Sequence, residues 1–240
     1  VNIRVANLSK KYGSVRALVD VSLDFMPGEI VAVIGPNGAG KTSLLGCLAS
    51  VLAADKGKVL FDNEPLRRDR LDLRRRLLFL PDFPMAMPGI TVLRHIGMIL
   101  RLYNADDNDA PERVAALLKE FDLLPLADAA VETLSRGQFY KMALVSLIAA
   151  DPELWLLDEP FASGMDPHGI TGFRRHAREA TKRGRTVIYS TQLLDAAERL
   201  ADRIVILQHG TVRAFASVTE LQRQGGALED IFQQLHEEGA

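Results

Sequence analysis

Gly35-Pro36-Asn37-Gly38-Ala39-Gly40-Lys41-Thr42 fits the pattern G-x-x-x-x-G-K-[S/T]. It follows the apolar run Ile30 to Ile34 and precedes a helical pattern carrying Leu44, Leu45 and Leu48. Strand, glycine-rich loop and helix in that order are the context this pattern requires. The glycines allow the backbone to wrap closely around a phosphate with its N–H groups pointing inward. The helix N-terminus adds a favourable dipole. In that setting Lys41 reaches the β- and γ-phosphates and the Thr42 hydroxyl binds Mg²⁺. Ser43 completes the nucleotide cradle as a neighbour of Thr42 rather than a metal ligand. A chance match in a chain of this length is of order one in a hundred on average composition, and the strand-loop-helix setting lowers that further.

A second run, Leu154-Trp155-Leu156-Leu157, ends in Asp158-Glu159-Pro160. Asp158 at the strand end can hold Mg²⁺ through water. Glu159, one residue on, is placed to polarise an attacking water as general base. A surface Asp-Glu turn before proline would read the same in isolation; the phosphate loop upstream favours the catalytic reading.

The short runs Ile30 to Ile34, Val59 to Phe61, Leu154 to Leu157, Thr186 to Tyr189 and Ile204 to Leu207 are bounded by turn residues. Those at 30–34, 154–157 and 186–189 lack polar alternation, as strands buried on both faces of a mainly parallel sheet do. Helical patterns lie between them, so the class is α/β. Gln208-His209-Gly210 reads as a hairpin turn. From about Pro84 to Ala150 the pattern is helical, with a helix start at Pro111-Glu112 and a shared face of Leu117, Leu118 and Phe121. This predicts a helical subdomain inserted into the core. The 240 residues are read as one domain: core at 1–83 and 151–215, helical subdomain at 84–150, helical tail at 216–240.

The net charge of -2 gives no reason to expect nucleic acid. The only cysteine, Cys47, excludes an internal disulfide and reads as a small buried residue. No apolar run approaches the roughly 20 residues that span a bilayer, and Val1 to Lys10 lack the regions of a signal peptide. The expectation is a soluble, cytoplasmic chain that meets a membrane only through a partner.

The ordered set of motifs resembles the ABC ATPase family, from Val5 to about Phe215. Leu134-Ser135-Arg136-Gly137-Gln138 looks like the family's LSGGQ signature, with Arg in third place and Lys141 near a commonly basic position. Ser135 can cap a helix whose N-terminus faces phosphate. The resemblance implies that Ser135, Gly137 and Gln138 contact ATP held by a second ATPase subunit, so that two ATP molecules are sandwiched in a dimer. Ser163-Gly164-Met165-Asp166 looks like the D-loop that crosses the dimer interface, and Tyr12 like the aromatic that stacks on adenine. The implied fold is a P-loop NTPase (RecA-like) core with an N-terminal antiparallel β subdomain and an inserted helical subdomain. The implied activity is ATP hydrolysis, with ATP and Mg²⁺, driving transport through separate integral membrane permease subunits. The chain would sit on the inner face of the membrane. Leu228-Glu229-Asp230-Ile231-Phe232 resembles the ending of single-domain ATPases of multicomponent exporters, and no regulatory domain follows it; both favour export.

Two positions depart from the family. Asp82, in Phe79-Leu80-Pro81-Asp82, stands where Gln is usual. Its carboxylate can still bind Mg²⁺, but it brings negative charge near the triphosphate; the alternative is that it caps the next segment. Gln192 stands where a switch His is usual. It can donate to a γ-phosphate but cannot carry a proton, which predicts slow hydrolysis or a heavier dependence on Glu159. A nucleotide sensor that barely turns over therefore stays open beside the transport engine. A non-transport member of the family is disfavoured, since no coiled-coil insertion is present. Met85, Met87 and Met98 read equally as core filler or as the adaptable groove that receives a helix of the membrane subunit in the family. The arginines at 67, 68, 70, 74, 75 and 76, broken by Asp69 and Asp72, read as a solvated face, with acidic lipid or a partner as the alternative.

Overall fold

The computed structural model describes residues 1–225; the 228–232 stretch lies outside the described residues. The chain opens with an antiparallel pair, β1 (Ile3–Tyr12) and β2 (Val15–Phe25). β3 (Ile30–Ile34) runs through the loop at 35–40 into α1 (Lys41–Leu48). β4 (Lys56–Phe61) and the two-residue β5 (Glu64–Pro65) complete a four-stranded antiparallel sheet of order β2-β1-β4-β5. After the short α2 (Leu71–Arg74) and β6 (Leu77–Leu80) come α3 (Val92–Leu102), α4 (Ala110–Glu120) and α5 (Arg136–Ala150), with no strand among them. The chain then alternates through β7 (Leu154–Leu157), α6 (Pro167–Lys182), β8 (Thr186–Thr191), α7 (Leu194–Leu200) and β9 (Arg203–Gln208). It closes with β10 (Thr211–Ser217) and α8 (Val218–Gly225). The larger sheet has six strands in the order β10-β9-β3-β8-β7-β6. All its pairings are parallel except the β9–β10 hairpin.

β3 and β7 are apolar at every position, and β8 and β9 through their middles, because both faces are covered. Ile30, Ala32 and Ile34, Trp155 and Leu157, Val187 and Tyr189, and Ile204 and Ile206 point into a core shared with the helices. The intervening Val31 and Val33, Leu154 and Leu156, Ile188, and Val205 and Leu207 point into a second core, shared with α1 and the antiparallel sheet. The strict period of two assigns alternate residues to opposite layers. A one-residue slip would exchange the two sets and is resisted on both faces. The parallel register has a functional result. β3, β8, β7 and β6 are neighbours, so the loops that leave their C-terminal ends open at one edge of the sheet, where ligands bind in open α/β sheets.

The helical region at 84–150 packs into the first core through Val92, Ile96, Val114, Leu118 and Phe121, among others. Thr91 caps α3 by accepting from the Arg94 N–H, and Pro111 lies in the first turn of α4. α5 is buried from Tyr140 to Ala149. Within it Lys141, 6% exposed, donates to Asp166 at 2.6 Å. Asp166 also caps α6 by accepting from the Gly169 N–H at 2.7 Å, and these contacts hold its carboxyl below the usual carboxylate range.

One boundary shifts. The expected tail helix begins at Val218, not at residue 216, because Ala216 and Ser217 still pair with Ile204 and Arg203 in β10. The arginine run is largely engaged within the chain: Arg70 with Glu64 and Asp72, Arg76 with Asp62 and Glu153, Arg67 with Asp69. Cys47 is buried, and burial pushes its thiol up to about 11, which makes it a poor nucleophile.

Replacing Asp166 with alanine removes a helix cap and leaves Lys141 buried without its partner. The expected cost is about 2–3 kcal/mol, read as a lower denaturation midpoint at unchanged m-value.

Candidate nucleotide site

The loop after β3 turns back on itself through residues that side chains would block. Gly40 has φ +106°, and a Cβ there would lie 2.2 Å from the Ala17 carbonyl oxygen. With Gly40 at its N-cap, α1 starts at Lys41. The Lys41 ammonium is 6% exposed and donates to the carbonyls of Gly35 at 2.9 Å and Pro36 at 3.3 Å, folding the loop around itself. Asn37 to Ser43 line a cleft of about 480 Å³ together with Tyr12, Val15, Ala17, Asp82, Asp158, Glu159, Ala162 and Gln192. Residues expected from five separate sequence segments thus share one cavity.

Asp158 ties these segments together. Its backbone N–H donates to the Leu80 carbonyl at the end of β6. One carboxylate oxygen accepts from Thr42 Oγ1 at 2.8 Å, the other from Ser190 Oγ on β8. Ser190 also accepts from the Glu159 N–H at 2.9 Å. Glu159 itself sits at φ +48°, a left-handed conformation costly for a residue with a side chain. Its carboxylate faces Lys41 at 3.4 Å and lies near the Gln192 backbone N–H, which favours its charged form. Its Oε2 is buried with no hydrogen-bond partner among the described residues. Burial raises the Glu159 carboxyl above the ordinary range; Lys41 opposes the shift and Asp158 adds to it. Ser190, fully buried near the end of β8, escaped the sequence reasoning; a hydroxyl directly after the apolar run was the available signal.

Two further residues complete the cleft wall. Tyr12, at the end of β1, is 47% exposed, with its hydroxyl 3.5 Å from Ser43 Oγ and the Lys10 ammonium 5.3 Å from its ring centroid. Asp82 lines the cleft, but its carboxylate accepts from Arg136 at 2.8 Å. Arg136 also lies 4.3 Å over the Phe83 ring. No expectation included this link, which joins residues 54 apart in the chain.

The geometry fits a metal–triphosphate better than a bare metal ion. Among the described residues no cluster of three or more His, Cys, Asp or Glu could hold a metal. Thr42, Asp158 and Asp82 offer hard oxygens, and a cation that keeps most of its water would need phosphate oxygens to complete its shell.

Ser135, Gly137 and Gln138 do not line this cleft. They form the start of α5, where Ser135 Oγ accepts from the Gln138 N–H and Gln138 Oε1 accepts from the Ser135 N–H. This reciprocal capping box uses the Gln138 side chain on its own helix. A Cβ on Gly137 would lie 2.2 Å from the Gly164 carbonyl oxygen, so the helix start rests directly on the 163–166 turn. Phe83, Met85 and Met87 are 65%, 89% and 57% exposed, which removes Met85 and Met87 from the core. Beside Phe83 a groove of about 290 Å³ runs between Pro84, Val131, Leu134, Phe139 and Tyr140.

A glycine-rich loop on a helix start, with a buried aspartate and a following glutamate at the next strand end, defines a nucleoside triphosphatase of the P-loop kind. The match extends to a particular family. Residues 18–162 fit the model of the ABC transporter family. The SkfA peptide export ATP-binding protein SkfE of Bacillus subtilis (strain 168) is 31% identical over 98% of this chain and 97% of its own length. A solved ATP-binding subunit of an ABC transporter superposes with a TM-score of 0.92 at 28% identity, over 98% of this chain and all of the other. A dimeric post-hydrolysis state of an ATP-binding cassette bound to ADP and Pi superposes at 0.80 with 25% identity, over 90% and 98%. The chain belongs to the ABC transporter ATP-binding family and is an ATPase.

Only an ionised Glu159 can accept a proton. With Glu159 as the general base the sequence predicts, its raised pKa would move the acid limb of the hydrolysis rate to a pH above the ordinary glutamate value of 4.5. The rate is expected to climb as pH rises through that limb and to be lost as pH falls, with tight binding of ATP persisting below it. A pH profile of kcat checks this; a limb at or below the ordinary value would contradict the burial argument.

Proposed function

We propose that the chain is the cytoplasmic engine of an exporter, hydrolysing MgATP at two sites shared by paired ATPase subunits. The observation that carries the reading is Glu159: its carboxylate lies at the phosphate-loop lysine with one buried oxygen unpartnered, oriented through Ser190 and Asp158. Residues 35–43 hold the phosphates and Tyr12 stacks on the base. Lys41 and Gln192 face the γ-phosphate. Thr42 and Asp158, with Asp82 at the rim, hold Mg²⁺, which when bound would neutralise charge on the phosphate oxygens. Glu159 polarises the attacking water. Ser135, Gly137 and Gln138 contact the nucleotide of a second ATPase subunit, as their position outside the cleft and on an exposed helix start allows.

The substrate pathway belongs to separate membrane subunits, since no described helix is long and apolar enough to cross a membrane. The groove beside Phe83, with Met85 next to it, receives a short helix of such a subunit. Export is favoured by the similarity to SkfE, a peptide export ATP-binding protein. The sensor reading retains one supporting observation, Gln192 in place of a titratable group at the cleft.

Phosphate release by the purified chain, with Glu159→Gln as the blank, separates engine from sensor. Release is expected to fall about 10²–10⁴-fold in Glu159→Gln while ATP binding persists. Equal release by both proteins would remove Glu159 as the base. Met85→Asp, at an 89% exposed position outside the cleft lining, is expected to abolish copurification with the membrane subunits and to leave ATP binding by the free chain intact. Persistent copurification would move the docking site elsewhere.

A further inference from the structure

Two chain-specific residues, Asp82 at the strand end and Arg136 in the signature, meet in one ion pair. We propose that Arg136 is a positioning residue for Asp82: it holds the carboxylate against the cleft wall and cancels its charge, so that a triphosphate can enter. The inference rests on the nucleotide reading of the cleft and adds a determinant of triphosphate affinity to it.

The charge inventory of the cleft is what requires such a partner. Three carboxylates line it, Asp82, Asp158 and Glu159, while Lys41 is the one cation among its described lining residues. Lys41 is itself engaged with Glu159. The carboxylates lie close enough together to act on one group. The Tyr140 hydroxyl, buried and without a hydrogen-bond partner among the described residues, is pushed well up by burial and then by the charges of Asp158, Asp82 and Glu159. A polyanion entering this cleft meets each uncompensated carboxylate at short range, where screening is incomplete. Asp158 is hydrogen-bonded by two hydroxyl donors, and Glu159 faces the Lys41 ammonium. Among the described residues the side-chain donor to Asp82 is Arg136, through Nη2 at 2.8 Å.

The placement of Arg136 supports the same conclusion. It is the first residue of α5, where a positive charge opposes the helix dipole. Helix preference therefore does not explain an arginine here. Two consecutive residues of the opposite segment do: the Asp82 carboxylate takes one edge of the guanidinium, and the Phe83 ring lies under its face at 4.3 Å. Arg136 is 48% and Asp82 35% exposed, so the pair is an adjustable surface contact. It sets a charge more than it holds the fold together.

The test is equilibrium binding of fluorescent ATP and ADP analogues to the full chain in magnesium-free buffer at low salt, with thermal melts as a folding control. Arg136→Ala is expected to weaken ATP binding about tenfold and ADP binding about threefold, since repulsion grows with phosphate charge, and both losses shrink at high salt. Arg136→Lys, which keeps the charge, is expected to bind ATP nearly as wild type does. Asp82→Asn/Arg136→Ala is expected to recover ATP affinity to within about twofold of Asp82→Asn, the coupling that marks a direct pair. ATP affinity unchanged in Arg136→Ala, equal losses for ATP and ADP, or a double variant as weak as Arg136→Ala would each overturn the proposal. If Arg136→Ala fails to fold, the Lys variant and the double variant still decide it. Wild-type protein that binds neither analogue would overturn the nucleotide reading itself, a result distinct from any of these.

Discussion

The Asp158 carboxylate is the point on which the site depends. One oxygen fixes the start of α1 through Thr42, the other fixes the end of β8 through Ser190, and its own N–H fixes the end of β6. At 3% exposure the group has little water to fall back on. Its hydrogen bonds therefore stand in place of solvation, and losing either hydroxyl would leave a buried acceptor unpaired. The phosphate loop, Glu159 and the Gln192 turn are held at fixed separations because all connect to this one side chain or to Ser190 beside it.

The sheet makes that convergence possible. Parallel strands in register deliver their C-terminal loops to a common edge, and the two-sided apolar alternation keeps the register from slipping. Charged groups then need only occupy the first residues past each strand. The chain meets the resulting crowding of carboxylates with specific donors for each: hydroxyls for Asp158, Lys41 for Glu159, Arg136 for Asp82.

The legible parts of the fold were those governed by local pattern. β3 and β7 coincide with their apolar runs, and β8 extends its run only to Thr191, because strands covered on both faces carry the signal at every position. The phosphate loop was legible because glycine spacing and a strand-helix context occur together. The β1–β2 pair was not read from periodicity. Its alternation is broken by bulges, with Asn7 and Asp20 at positive φ and hydrogen-bonded to each other. Ser190, the Lys141–Asp166 pair and the Asp82–Arg136 pair were also missed. Each is a contact between segments 25 to 54 residues apart, and no single-segment pattern encodes it.

The contacts of α5 with the core are unequal on its two sides. On one side Gly137 rests on the Gly164 carbonyl without room for a methyl group, and a nearly buried Lys141 holds Asp166. Only the Lys141 end of that pair is buried, Asp166 being half exposed, and losing the pair together with the helix cap costs about 2–3 kcal/mol. On the other side the tie is the exposed Asp82–Arg136 pair, and exposed pairs contribute about 0–1 kcal/mol. The helical region is thus clamped where the 163–166 turn meets it and loosely held where Asp82 borders both the nucleotide cleft and the apolar groove. Asp82 thus lines both cavities, and its partner Arg136 lies on the wall of the groove.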